Sequence, residues 1–238
     1  MRHLILALAA SAAPFAAQAE TLTLQVTGEA LATDGFTAPE LTRDGWRISF
    51  DRVQASFADV TAWRTDPPFA ADSPDIDGAA LALDGAFTVN LADAKDDGRI
   101  ALATRPAEAG HYNALSWQLA PAPDGAHAGY SLVLQGRATK DGQEVAFTLR
   151  SADRVAYACG EYVGDTRKGF VTEAAPGQVE ITLHLDHIFG RADLPADDAM
   201  NQSALGFDQF ADGSTYDISL QGIHLGHVGE GHCHDTTL

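Results

Sequence analysis

Short runs of alternating hydrophobic and polar residues recur along the chain. In Thr21–Thr27 (TLTLQVT) every second residue is aliphatic, which is the pattern of a β-strand with one buried face. Trp46–Val60 alternates in the same way, but its parity changes near Asp51 or Arg52, which predicts a β-bulge at that point. Helical periodicity is scarce, so the pattern indicates a mostly β protein.

Turn signals separate these runs and favour antiparallel pairing. Asp-Gly pairs between short alternating segments are typical of β-hairpins. They occur at Asp34-Gly35, Asp44-Gly45, Asp84-Gly85, Asp97-Gly98, Asp124-Gly125, Asp141-Gly142 and Asp212-Gly213. We therefore expect an antiparallel β-sandwich in a single domain over residues 20–238. The best helical stretch is Ala192–Ala211, where Pro195 would open a short helical insertion near the C-terminus.

The excess of acidic residues limits the classes of partner that the protein is expected to bind. The chain has 238 residues with 33 Asp and Glu against 15 Lys and Arg, a formal net charge of −18. Nothing in this balance offsets repulsion by phosphates, which argues against nucleic acid as a partner. Hydrophobic residues make up 45% of the chain, enough to build a real core.

The first 19 residues have the pattern of a secretory signal peptide. Arg2 and His3 precede an apolar run, and Ala17-Gln18-Ala19 is a small-x-small site that predicts cleavage after Ala19. The apolar run is too short and too interrupted for a membrane anchor, so we expect no membrane insertion. The predicted location is the periplasm or the exterior of the cell.

Two cysteines, Cys159 and Cys233, are present. In an oxidising compartment the simplest prediction is one disulfide that ties the C-terminal tail to an earlier strand. The alternative is that both act as thiolate metal ligands.

Histidines are concentrated near the C-terminus in two groups, and the first lies in Ile181–Gly190 (ITLHLDHIFG). On an extended strand His184 and Asp186 would project from the same face. His187 would point to the other face, unless the strand ends near Asp186 and frees it to join them. Because Ile188 and Phe189 are both apolar, the sequence predicts that the strand ends or bulges near Asp186, with His184 and His187 as metal ligands.

The second group lies in Gly222–Asp235 (GIHLGHVGEGHCHD). Its glycines allow the backbone to wrap around an ion. An extended tail would place His232 and His234 on one face and Cys233 on the other. The predicted metal ligands here are His224, His227, His232 and His234. Asp186, Glu230 and His111 are weaker candidates, as ligands or as acceptors for the distal ring N–H groups.

Imidazole and carboxylate donors without free thiolate favour zinc, with copper(II) as the alternative and calcium as the least favoured ion. We expect a non-enzymatic metal buffer, chaperone or delivery protein that serves a membrane metal transporter or a recipient metalloprotein. The Gly- and His-rich tail loosely resembles exported bacterial metal-binding accessory proteins. Two alternatives stay open: a metal-dependent hydrolase with an open His site, and a β-sandwich module that binds glycan or protein through Trp46, Trp63 or Trp117.

Overall fold

The computed structural model describes residues 20–36, 42–95, 97–160, 168–229 and 231–238. The predicted signal peptide, residues 1–19, and Glu230 lie outside the described residues. Within them the chain forms fifteen strands: β1 Thr21–Thr27, β2 Arg47–Arg64, β3 Ala79–Leu83, β4 Phe87–Asn90, β5 Arg99–Pro106, β6 Gly110–His111, β7 Ala114–Leu119, β8 Leu132–Lys140, β9 Gln143–Ser151, β10 Val155–Gly160, β11 Phe170–Val171, β12 Gly177–Leu183, β13 Thr215–Asp217, β14 Gly226–His227 and β15 Cys233–Thr237.

The strands form two large sheets and one small pair in the described part of the chain. The first sheet has the order β14-β12-β1-β5. The second runs β13-β9-β8-β2-β7-β10-β15, with β3 and β4 also paired to β2, and β6 pairs with β11. Most pairs are antiparallel, as the Asp-Gly turns predict. The pairs β1–β12 and β9–β13 are parallel, and a long stretch of chain separates the two strands of each pair, as a parallel pairing requires.

A shared hydrophobic core joins the two large sheets. Leu22, Leu24 and Val26 of β1 alternate with polar residues and are fully buried, as the sequence pattern predicts. They belong to the same buried cluster as Val53 and Phe57 of β2 in the other sheet. Two sheets that cover one core are the arrangement of a β-sandwich, and the mostly β fold is confirmed.

The bulge predicted in the second strand is also confirmed. The pairing of β2 with β8 shifts register between Phe50 and Arg52, so Asp51 is the extra residue. A second irregularity lies between Ala58 and Thr61, where β2 pairs with β7. These bulges let an 18-residue strand bend and pair with several neighbours.

The helices are short: α1 Glu29–Thr33, α2 Asp186–Phe189 and α3 Ala199–Ser203, with 3-10 turns at Leu91–Asp93 and Asp208–Phe210. The insertion near the C-terminus is present, but Pro195 does not open its helix. Asp198 caps α3 instead, because its carboxylate accepts a hydrogen bond from the amide of Met200 at 2.9 Å. None of the helices in the described part of the chain has the length and hydrophobicity of a membrane span.

Candidate metal centre

The first histidine pair is assembled by the end of a strand. β12 stops at Leu183, and the backbone turns into α2, where the amide of His187 donates to the carbonyl of His184 at 3.1 Å. Residues three apart on a helical turn lie on the same side. The rings of His184 and His187 are therefore 5.6 Å apart between centroids, instead of pointing to opposite faces of a strand.

The glycine-rich segment brings a third imidazole to this pair. β14 pairs with β12 so that His227 lies opposite Thr182, and the amide of His184 donates to the carbonyl of Leu225 at 2.9 Å. The ring centroid of His227 is 4.5 Å from that of His184 and 5.4 Å from that of His187. Two sequence segments about 40 positions apart thus form one three-histidine cluster.

The centroid separations of the three rings are close to those expected around a zinc ion. A zinc–nitrogen bond of about 2.0–2.1 Å places an imidazole centroid about 3.2 Å from the ion. Tetrahedral angles then separate two such centroids by about 5.2 Å. The observed distances of 4.5, 5.4 and 5.6 Å bracket this value. The ligand atoms that lie within 4.8 Å of one another are those of His184, Asp186 and His187, so His227 joins the group by its ring position.

A buried carboxylate stands beside the histidines. Potential ligand atoms of His184, Asp186 and His187 all lie within 4.8 Å of one another. Oδ2 of Asp186 is 3.5 Å from Nη1 of Arg191, whereas its Oδ1 is buried and has no hydrogen-bond partner among the described residues. Asp186 is only 6% exposed, so it can serve either as a fourth ligand or as an acceptor beside the ion.

In His184 and His227, one ring nitrogen contacts a polar group outside the cluster, which leaves the other nitrogen available to a metal ion. Nδ1 of His184 faces the carboxylate of Glu29 at 3.8 Å, while its Nε2 is buried and finds no partner in the ranges that the structure describes. Nε2 of His227 lies 3.2 Å from the carbonyl of His224. Because a carbonyl only accepts, this contact puts the proton on Nε2 and the lone pair of His227 on Nδ1. Metal-binding histidines commonly hold their distal N–H in this way.

Burial keeps two of the imidazoles neutral. It lowers the pKa of His227 to about 4, together with the charges of His184 and His187, while the carbonyls of His224 and Gly231 oppose part of the effect. Burial also lowers the pKa of His187, against the opposing charge of Asp186. A neutral imidazole is the form that donates a lone pair to a metal, so both side chains are ready to bind at neutral pH.

These lowered values predict a pH-dependent stability of the metal-free protein. Unfolded His227 regains an ordinary pKa near 6.5 and binds a proton that the folded protein excludes, so unfolding is favoured as the pH falls. We expect the free energy of unfolding of chelator-treated protein to drop by about 2 kcal/mol from pH 7 to pH 4.5. Urea denaturation at several pH values measures this drop. His227→Gln should flatten it, and an equal drop in this variant would contradict the assignment.

The remaining predicted ligands lie elsewhere. His224 is largely exposed, and its Nδ1 contacts the carboxylate of Asp235. His234 lies in β15 between Cys233 and Asp235, so its side chain points to the opposite face of that strand, where it lines a groove with Ser116 and Gln118. Among the described residues, no ring contact joins His232, His234 or His111 to the three-histidine cluster. His111 stacks on Phe170 instead.

The predicted disulfide is present and stabilises the tail next to the cluster. Cys159 and Cys233 are bonded and lie opposite each other in the β10–β15 pair. Two positions further on, Asp235 contacts His224, whose carbonyl meets the ring of His227. The bond therefore anchors the strand that supports the histidine segment, and it excludes the two cysteines as thiolate ligands.

Two features of the site escape sequence reasoning. Glu29 lies far from His184 in the sequence, and no motif links the two residues. The backbone of Glu29 has φ 54°, a left-handed conformation that is rare for a residue other than glycine. Gly226 packs on the stacked rings of Trp117 and Tyr157, and a Cβ there would lie 2.4 Å from the Trp117 ring. This glycine lets the chain pass over the aromatic pair just before His227.

The chain matches no protein-family model, no curated protein and no solved structure. The assignment of the site therefore depends on its geometry and chemistry.

Proposed function

We propose that this protein is an exported binding protein for a divalent transition metal, zinc by preference, which buffers the ion or delivers it to a transporter or a recipient metalloprotein. The observation that carries the proposal is the convergence of His184, His187 and His227, with ring centroids 4.5–5.6 Å apart. A buried ring nitrogen with no partner among the described residues, Nε2 of His184, is what an inward-facing ligand atom looks like without its ion.

The donor set supports zinc, with copper(II) as the alternative. Three imidazole nitrogens and one carboxylate are ligands that both ions accept, and no thiolate or thioether is in the cluster. Calcium prefers six to eight oxygen ligands, which a cluster dominated by nitrogen does not supply. We assign Asp186 as the fourth ligand, since one of its carboxylate oxygens lies within 4.8 Å of the ligand atoms of His184 and His187, and its Oδ1 has no hydrogen-bond partner among the described residues. A saturated site suits storage and delivery better than catalysis, which needs an open position.

The compartment is consistent with this role. An intramolecular disulfide is typical of proteins from oxidising compartments, and the N-terminal sequence has the pattern of an export signal. The net charge of −18 adds a negative field that raises the local concentration of cations.

Metal content is the direct test. The untagged protein, isolated from the exported fraction without chelator, is analysed by ICP-MS, and the chelator-treated protein is then titrated with zinc and with copper(II). We expect one tightly bound ion per chain. A protein that contains no metal and takes up neither ion would refute the proposal. Asp186→Asn separates the two coordination schemes: if Asp186 is a ligand, the variant should weaken zinc binding more than about 100-fold and alter the cobalt(II) absorption spectrum, whereas loss of a supporting acceptor should cost about 10- to 100-fold.

A further inference from the structure

A cavity of about 580 Å³ lies on the face of the β5-β1-β12 sheet that points away from the core. Leu24 and Val26 point inward from β1, so Gln25 between them points outward into the cavity. Gln178 and Glu180 of β12 extend the same outer surface. The volume is within the range of small-molecule sites in proteins.

Charged groups form the floor of this cavity. Glu180 is only 3% exposed, and its carboxylate accepts hydrogen bonds from Nε of Arg99 and from Nζ of Lys168, the latter at 2.7 Å. Taking such charges out of water is expensive, and a buried ion pair is poor evidence for a purely stabilising role. Asp97 also lines the cavity, so its two cationic side chains face two carboxylates. Within the described lining these charges balance, which disfavours a ligand with a net charge of either sign.

An aromatic ring forms one wall. Phe170 is 42% exposed and is one of two large hydrophobic side chains that are exposed in the described part of the chain. It stacks on the ring of His111, with 3.8 Å between centroids and 7° between planes. The stacking holds the Phe170 ring in one orientation. Packing a ligand against the ring therefore costs little further side-chain entropy.

We propose that this cavity binds a neutral saccharide. Each sugar hydroxyl both donates and accepts, which matches the amides, carboxylates and cationic donors of the lining, whose charges balance among the described residues. The apolar C–H face of a pyranose ring fits against Phe170, which supplies apolar contact area without a charge. The site is separate from the histidine cluster and needs no metal.

Ligand-observed NMR on chelator-treated protein tests this proposal. The probes are glucose, galactose, maltose and cellobiose, with glucuronate and glucosamine as charged counterparts. Titration calorimetry then follows the sugar that gives the strongest saturation transfer. We expect at least one neutral sugar to bind with a Kd near 1 mM or below, and its charged counterparts to bind more weakly. Chelator treatment makes the result independent of the proposed metal function.

Two variants locate the binding. Phe170→Ala and Gln178→Ala both change partly exposed side chains of the cavity, and each should weaken binding about 10-fold with little change in the thermal unfolding midpoint. Leu238→Ala, which removes the second large hydrophobic side chain that is exposed among the described residues, is the matched control and should leave affinity unchanged. The proposal is overturned if no neutral sugar binds at 50 mM (about 50 times the expected Kd). Preference for a charged sugar, or unaltered binding by both cavity variants, overturns it as well.

Discussion

Replacing His227 with glutamine should weaken zinc binding more than about 100-fold, because it removes one of three converging imidazoles. Loss of a supporting residue outside the ligand set typically lowers metal affinity 10- to 100-fold, and loss of a ligand should exceed that range. Competition with a chromophoric chelator measures the affinity. The metal-free variant should remain folded at pH 7, since glutamine has a similar volume and carries no charge.

His234→Gln is the matched control, because His234 lies in the same C-terminal region but points to the opposite face of β15. The zinc affinity of this variant should be unchanged, because no contact in the described part of the chain joins His234 to the three-histidine cluster. A double His232→Ala and His234→Ala variant extends the comparison to the tail histidines. If these tail variants abolish binding while His227→Gln does not, the site lies on the tail and the three-histidine cluster is not the metal centre.

Removal of the disulfide should lower the free energy of unfolding by about 4 kcal/mol, because the bond closes a loop with a sequence separation of 74 residues. The effect arises mainly from the greater freedom of the unfolded chain without the cross-link. Urea denaturation of the Cys159→Ala and Cys233→Ala double variant measures it against the oxidised protein. Zinc affinity should also fall, since Asp235 on the released strand no longer supports His224.

A second variant separates these two effects. Asp235→Asn keeps the disulfide but removes the charge that contacts His224. We expect a smaller change in stability than in the double cysteine variant, with zinc affinity reduced about 10-fold. Equal zinc affinity in the oxidised, reduced and Asp235→Asn proteins would show that the tail does not support the metal centre.

The alternation of apolar and polar residues predicts most of the fold. β1 has the predicted bounds, and the bulge at Asp51 follows from a parity change that is visible in the sequence. The parallel β1–β12 pair could not be predicted, because it joins segments with no local turn between them. The helix over 192–211 is shorter than predicted, since Asp198 supplies a better cap than the Pro195 start.

The sequence predicts which residue types form the site, but not which of the histidines come together in it. Clustered histidines, a disulfide and a strand end near Asp186 all follow from the sequence. Which imidazoles meet depends on the pairing of β14 with β12, a long-range contact that brings His227 to His184 and leaves His234 on another face. The contact of Glu29 with His184 is also long-range, and a single acidic residue belongs to no motif, so the sequence does not predict it.

The parallel pairing of β1 with β12 also has a consequence for the order of folding. Leu22 lies opposite Gly177, and Thr27 lies opposite Thr182, so the first strand lacks this neighbour until most of the chain has been synthesised. Such distant pairing gives a high contact order, for which folding in milliseconds to seconds is typical. During that delay β1 presents an unpaired edge to other chains. Because β12 also pairs with the segment that carries His227, we expect the three-histidine cluster to form late in folding, after β12 has found its partners.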